Sequence, residues 1–178
     1  MKKVLLFGIL LFVMSLSASS QITDKALKKE YKETLKRFRK EGWKVYASSQ
    51  SLDEGFERYY TKRQNEGGTP ILGRGDGSNN NMANTKARVE AVREYASQLE
   101  TKIEAETRIS LSGAEDAQHF RSIVKSKTEQ CIRGMSPVLS LSRKVDSGKY
   151  EMLLYYLVDV DKEIAKIEEE MQAMQTTE

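Results

Sequence analysis

The chain has 178 residues, a formal net charge of +3 and a charged fraction of 31%. This small net charge gives no indication of nucleic-acid binding, which needs a concentrated basic face. With one cysteine, the chain cannot form an intramolecular disulfide. With one histidine, it has little to offer a hydrolytic triad or a zinc site.

The first 20 residues are organised like a secretory signal peptide. Lys2 and Lys3 precede an apolar run from 4 to 14, and Ala18 and Ser20 place small side chains before Gln21. The apolar run is shorter than the ~20 residues that a membrane span requires. The segment from 15 to 21 that follows the run contains no cysteine to take a lipid anchor. We therefore expect cleavage near Ser20–Gln21 and an exported, unlipidated protein, periplasmic in a bacterium.

The mature chain has the length of one domain. We expect an N-terminal helical region with a short strand over residues 21–68. An α+β core over 69–174 should pack with it as one domain, and residues 175–178 should form a frayed tail.

The N-terminal region should contain two helices. Thr23 or Asp24 can cap the first, which should run to about Lys40 on a narrow apolar stripe. The residues from 43 to 47 alternate as in a half-buried strand. Ser51 and Glu54 have the spacing of a capping box, which predicts the start of a second helix.

The core should begin with a strand over 69–77. Its three alternating glycines and Pro70 are typical of an edge strand, a bulge or a close backbone approach. A long helix follows from about 83 to 109, with alanines every four residues that allow close packing on a sheet. Ser112 and Glu115 form a second candidate capping box, ahead of a helix that Gly134 ends.

A hairpin and a last helix complete the chain. Strands should run over 139–145 and 150–160, joined by a tight turn at residues 146–148. The second strand is apolar on both faces, which predicts a central place in the sheet. The predicted fold is α+β, a small and mostly antiparallel sheet covered on one face by helices that include the Ala-rich helix.

Three segments carry a family resemblance. They are the glycine-rich I-L-G-R-G-D-G from Ile71, the Ala-rich helix from Ala83, and the hairpin R-K-V-D-S-G-K-Y-E-M-L-L-Y-Y-L-V-D-V from Arg143. Over residues 71–161 the chain resembles the bacterial envelope lipoprotein family labelled Lpp-twenty. It also resembles the N-terminal domain of flagellar assembly protein T. The resemblance implies an exported module with an Ala-rich helix on a small sheet, and transfers no catalytic residue.

Motifs for chemistry are weak. The glycines from Gly73 to Gly77 lack the spacing of a dinucleotide fingerprint, and the following residues lack the glycine and glutamate of a calcium loop. The carboxylate pairs lie on charged helices, as solvated surfaces do, and His119 has no nucleophile nearby. We therefore predict no catalytic residue, no cofactor and no metal site.

The candidate functional residues are those that could bind a partner protein. We expect Gly73, Arg74 and Gly75 to lie on an exposed strand that accepts a partner strand. Trp43, Tyr59 and Tyr60 are the candidate aromatic patch, although most aromatic residues should be core. The predicted function is a non-enzymatic envelope interaction or assembly module, bound to another envelope protein. On this view Gly75→Val weakens partner capture without unfolding the domain.

One alternative is a binder of a small ligand or cell-wall fragment. Its pocket is expected between Trp43, Tyr59 and the helix that starts near Ala83. The ends of the chain also carry opposite charge, net positive over 22–44 and net negative over 159–178. They could attract each other or a second subunit, and the basic first helix could touch a membrane surface at most peripherally. We expect Cys131 to be buried.

Overall fold

The computed structural model describes residues 22–106 and 114–175. Within these residues the chain forms five helices and four strands. In chain order they are α1 (Lys25–Lys40), β1 (Lys44–Val45), α2 (Leu52–Glu66), β2 (Thr69–Gly77), α3 (Asn80–Glu106), α4 (Ala114–Gly134), β3 (Leu139–Lys144), β4 (Tyr150–Val158) and α5 (Val160–Gln175).

The strands form one antiparallel sheet in the order β1-β3-β4-β2. This confirms the α+β class, the antiparallel sheet and the interior position of β4. The glycine-rich strand β2 is an edge, paired over its nine residues with β4.

Helices cover both faces of the sheet, so the expected single helical layer is wrong. Along β4, Leu154 and Tyr156 belong to a core with α3, α4 and α5. Leu153 belongs to a second core with α1 and α2, and Tyr155 packs against it. Successive side chains of a strand point to opposite faces. A strand that is apolar at consecutive positions therefore serves two cores.

The core on the α1 and α2 face is aromatic. The Phe56 ring lies at its centre, 5.2 Å from the ring of Phe38 and 6.1 Å from that of Tyr155. Edge-on ring pairs of this kind add to the free energy of burial. An ion pair of Glu30 with Arg63 (2.9 Å) and another of Arg39 with Asp53 join α1 to α2.

The other core depends on the alanines of α3. Ala83, Ala87 and Ala91 are fully buried and recur every four residues. Four residues advance a helix by about 6 Å, close to the advance of two residues along a strand. The alanines of α3 therefore keep step with alternate residues of β2, and the backbones of the two elements approach closely.

The local signals mark several element ends. Asp24 caps α1 by accepting a hydrogen bond from the Leu27 amide (2.8 Å). Ser51 and Glu54 form the expected capping box of α2. Gly148 turns the hairpin with a φ of 77°. Strand β1 has two residues rather than the five expected.

Three further expectations concern the second capping box, Cys131 and membrane spans. The second capping box, at 112–115, lies outside the described residues. Cys131 is half-buried rather than buried, and its sulfur lies 3.6 Å from the sulfur of Met135. No helix in the described part of the chain is long and apolar enough to cross a membrane.

Candidate functional site

The open edge of the sheet is the first candidate site. Among the described strands, β2 has one neighbour, β4. An edge strand leaves half of its backbone donors and acceptors unpaired by the sheet, which makes it a template for another strand.

The hydrogen bonds of β1 fix which backbone groups of β3 face which neighbour. The amide of Tyr46 donates to the carbonyl of Ser140 (2.8 Å), so the backbone of Ser140 faces β1. In antiparallel strands alternate residues direct their N–H and C=O groups to opposite sides. The backbone N–H and C=O groups of Leu141 therefore point toward β4, and those of its partner Leu153 point toward β3.

The same alternation continues across β4. Met152 and Leu154 face β2, where they pair with Gly75 and Gly73. The intervening residues of β2 therefore direct their backbone groups away from the sheet. These outward residues are Pro70, Leu72, Arg74 and Asp76. Proline lacks an N–H, and an outward position on an edge is where this lack breaks no hydrogen bond of the sheet.

Helix α3 holds β2 from one face. A Cβ on Gly73 would lie 2.0 Å from the carbonyl oxygen of Ala87, and one on Gly75 would lie 2.1 Å from that of Ala83. Real atoms cannot approach so closely, so only glycine fits at these positions. The expectation that Gly75→Val leaves the domain folded is therefore wrong, because the valine would collide with the backbone of α3.

A cleft lies on the opposite face of β2, and we call it the Trp43 cleft. Its volume is about 500 Å³. Leu72 and Arg74 of β2 and Tyr155 of β4 contribute to it, together with Trp43 and Arg37. This volume is within the range of small-molecule sites.

One wall of the Trp43 cleft is rigidly built. Trp43 is 7% exposed, and its Nε1 donates to a Glu41 carboxylate oxygen (2.9 Å). The Arg143 guanidinium lies 4.7 Å from the centre of that ring. Arg143 also bonds Glu151 (2.6 Å) and Glu41 (3.3 Å). The two carboxylates therefore balance the charge of Arg143 and hold its guanidinium beside the indole.

Two other arginines of the cleft, Arg37 and Arg74, lie near enough to Tyr155 to influence its ionisation. Burial raises the pKa of Tyr155, and the charges of the neighbouring Arg37 and Arg74 oppose that rise. Arg37 also lies 5.1 Å from the Phe38 ring centre. The lining of the cleft therefore carries charges of both signs, because Glu41, Asp76 and Glu151 accompany the three arginines.

The structure brings some of the predicted site residues together and separates others. Trp43, Arg74 and Gly75 all line the Trp43 cleft, whereas Gly73 packs beneath α3. Tyr59 and Tyr60 are 3% and 2% exposed, so they are core residues and present no patch to a partner.

The prediction of a pocket between Trp43, Tyr59 and the Ala83 helix is wrong. The first two residues belong to the core with α1 and α2, and Ala83 belongs to the core on the other face. The sheet lies between these cores.

A second surface was missed from the sequence. A groove of about 640 Å³ runs between α3 and α4, with Val89, Val92, Ala96 and Ile132 among its lining residues. Val89 is 54% exposed, and it and Met82 are the two exposed large hydrophobic residues among those described. The signal was present as a second apolar stripe on α3, beside the alanine stripe.

No group of three potential metal ligands lies together in the described part of the chain. The side chain of His119 lies outside the described residues, as do those of the carboxylate pairs at 104/106 and 115/116. A scan against family models found no match, and searches of curated proteins and solved structures found none either.

Proposed function

We propose that the protein is an exported, non-enzymatic envelope protein that binds a segment of another envelope protein along the open edge of β2. The observation that carries this proposal is the nine-residue edge strand with one neighbour among the described strands. The proposed export rests on the signal-peptide pattern of the first 20 residues and on the resemblance to exported modules.

Strand addition would use the outward backbone groups of β2. Leu72, Arg74 and Asp76 each offer an N–H and a C=O, and Pro70 offers a C=O. A partner strand bonded to these groups gains affinity from the main chain and specificity from alternate side-chain positions. The side chain of Arg74 lies in the Trp43 cleft, which gives the partner strand a neighbouring surface to recognise.

Charged residues and a proline limit unspecific strand pairing at the β2 edge, but the ion pair there is weak. Asp76 bonds Lys86 of α3 (3.3 Å), and both side chains are more than half exposed. Exposed ion pairs of this kind contribute about 0–1 kcal/mol. A partner strand could therefore displace this pair at low cost, while charges and Pro70 limit unspecific pairing.

A second candidate function is the binding of a small ligand or cell-wall fragment. The Trp43 cleft favours it, since the cleft has a suitable volume and a rigid wall. A ligand that prefers the folded protein raises the melting temperature. A thermal-shift screen of envelope fragments tests this function, and no shift across the panel would count against it.

Crosslinking of the mature protein in intact cells tests the main proposal. We expect one dominant envelope protein in the crosslinked material, identified by mass spectrometry. Crosslinks only between copies of this chain, or none at all, would remove partner binding as the function. Fractionation of the same cells, with and without residues 1–20, tests the proposed export.

A further inference from the structure

The groove between α3 and α4 has the geometry of a helix-binding seam. Thr85, Val89, Val92 and Ala96 line it from α3, at spacings of four, three and four residues. Met82 extends the same stripe by three residues. This 3-4 alternation is the spacing with which one helix packs against another in a coiled coil. From Met82 to Ala96 the stripe is about 21 Å long.

The second side of the groove repeats the pattern. Lys125, Glu129 and Ile132 line it from α4 at spacings of four and three residues. Ile132 is buried, and Val92 and Ala96 are half-buried against the same core, so they form a fixed apolar floor. Two facing helices that both present this spacing are suited to a third helix.

The rim of the groove is basic. The lining includes four cations and two anions, and those cations are Arg88, Arg93, Lys125 and Arg133. Arg93 and Arg133 have exposed carboxylate partners, Glu90 and Glu129. Arg88 instead bonds the amide oxygen of Asn84 (3.1 Å). An acidic partner would therefore meet favourable charge along both walls.

The acidic helix α5 of a second copy of this chain is not a suitable ligand for the groove. Ile164 and Ile167 of α5 are buried in the domain's own core. A second copy would have to unpack its α5 to offer that apolar face. We therefore exclude α5 of a second copy as the occupant of the groove.

We propose that this groove binds an amphipathic α-helix of a partner protein, with an apolar stripe on Val89, Val92 and Ala96 and acidic flanks against the basic rim. The groove extends the proposed interaction function to a second surface and uses none of the outward groups of β2. A variant of the β2 edge such as Arg74→Pro should therefore leave helix binding unchanged, which separates failure of one proposal from failure of the other.

Two designed peptides provide the test. Each has three heptads of about 21 residues with leucine and isoleucine at the seam positions, and the flanking positions carry glutamate in one and lysine in the other. Fluorescence anisotropy measures the binding of each to the mature protein. We expect the glutamate-flanked peptide to bind about tenfold tighter or more, with an advantage that falls as salt rises.

Two variants locate the binding. Val89→Asp should weaken the glutamate-flanked peptide about tenfold or more, while its exposed position leaves the melting temperature near wild type. Lys125→Glu should reduce the preference for the acidic peptide. Lys149→Glu, the same charge change in the exposed turn before β4, should not.

Three results of the peptide-binding measurements would overturn the proposal. They are equal binding of the two peptides, full binding by Val89→Asp, and equal effects of the substitutions at Lys125 and Lys149. Self-association of the protein that Val89→Asp abolishes would assign the groove to a second copy and overturn it as well. Sedimentation over a range of concentrations measures that outcome.

Discussion

At the scale of single residues, the glycines of β2 join the sequence pattern to the packing most directly. Their alternation indicated an edge strand or a close backbone approach, and the structure shows both. The sequence could not reveal what approaches Gly75, because that depends on the placement of α3 over β2. For this reason the sequence alone predicts that Gly75→Val leaves the domain folded, although a Cβ there would lie 2.1 Å from a backbone oxygen.

We predict that Gly75→Ala lowers the free energy of unfolding by about 3 kcal/mol, since one methyl group overfills the contact with α3. Urea denaturation measures the change. Gly134→Ala is the matched control, because its Cβ would meet nothing within 4 Å and its φ is not positive. The control should stay within about 0.5 kcal/mol of wild type. Equal effects of the two substitutions would show that α3 does not rest on β2 as described.

At the scale of elements, periodicity located the helices and strands but not the layers. An amphipathic stripe shows that α1 buries one side, and it does not show which face of the sheet receives that side. The signal for two helical layers was the run from Met152 to Tyr156, which is apolar at consecutive positions. A central strand in a sheet covered on one face needs only alternate apolar positions.

The start of α2 gives a prediction about pH. The Glu54 carboxylate accepts hydrogen bonds from the Ser51 amide (2.7 Å) and hydroxyl (2.9 Å), and these bonds hold the pKa of Glu54 below its usual value of 4.5. A lowered pKa in the folded state stabilises the protein above pH 4.5 and ceases to do so as the pH falls through the folded-state value. Glu54→Gln should therefore be less stable than wild type at neutral pH.

Thermal unfolding from pH 7 to pH 3 measures this effect, and the difference between wild type and Glu54→Gln should shrink toward acid. A difference that stays constant with pH would contradict the capping role of the carboxylate. Ser51→Ala removes the hydroxyl of the same box, and it should cost about 1 kcal/mol at neutral pH.

At the scale of the whole molecule, β4 joins the two cores. Leu153 faces α1 and α2, while the adjacent Leu154 faces α3. A destabilising substitution in one core should therefore also destabilise the other core, because both cores share the sheet. The prediction of one domain made of the N-terminal region and the α+β core depends on this coupling.

Leu99→Ala tests the coupling. Leu99 is fully buried on α3, and its truncation should cost about 3 kcal/mol. Trp43 is the single tryptophan and belongs to the opposite core. Its fluorescence should therefore report the same lowered urea midpoint as the circular dichroism of all the helices. Unfolding of Trp43 at the wild-type midpoint would show two independent units.

The partner proposals depend on surfaces that the sequence revealed unequally. The edge strand was predicted, because alternating glycines and a proline suit few other places in a sheet. The contact of Trp43 with Arg143 was not, because 100 positions of sequence separate the two residues. The stripe through Val89 was missed, because the alanine stripe beside it in the same helix is the stronger pattern.

The most direct measurement for the central proposal compares two substitutions at one outward position of β2. Arg74→Pro and Arg74→Ala remove the same side chain, but only proline also removes the outward N–H. In intact-cell crosslinking, we expect Arg74→Ala to retain the dominant envelope partner and Arg74→Pro to lose about nine-tenths of it, with both variants folded. Equal capture by the two variants would contradict strand addition at the β2 edge.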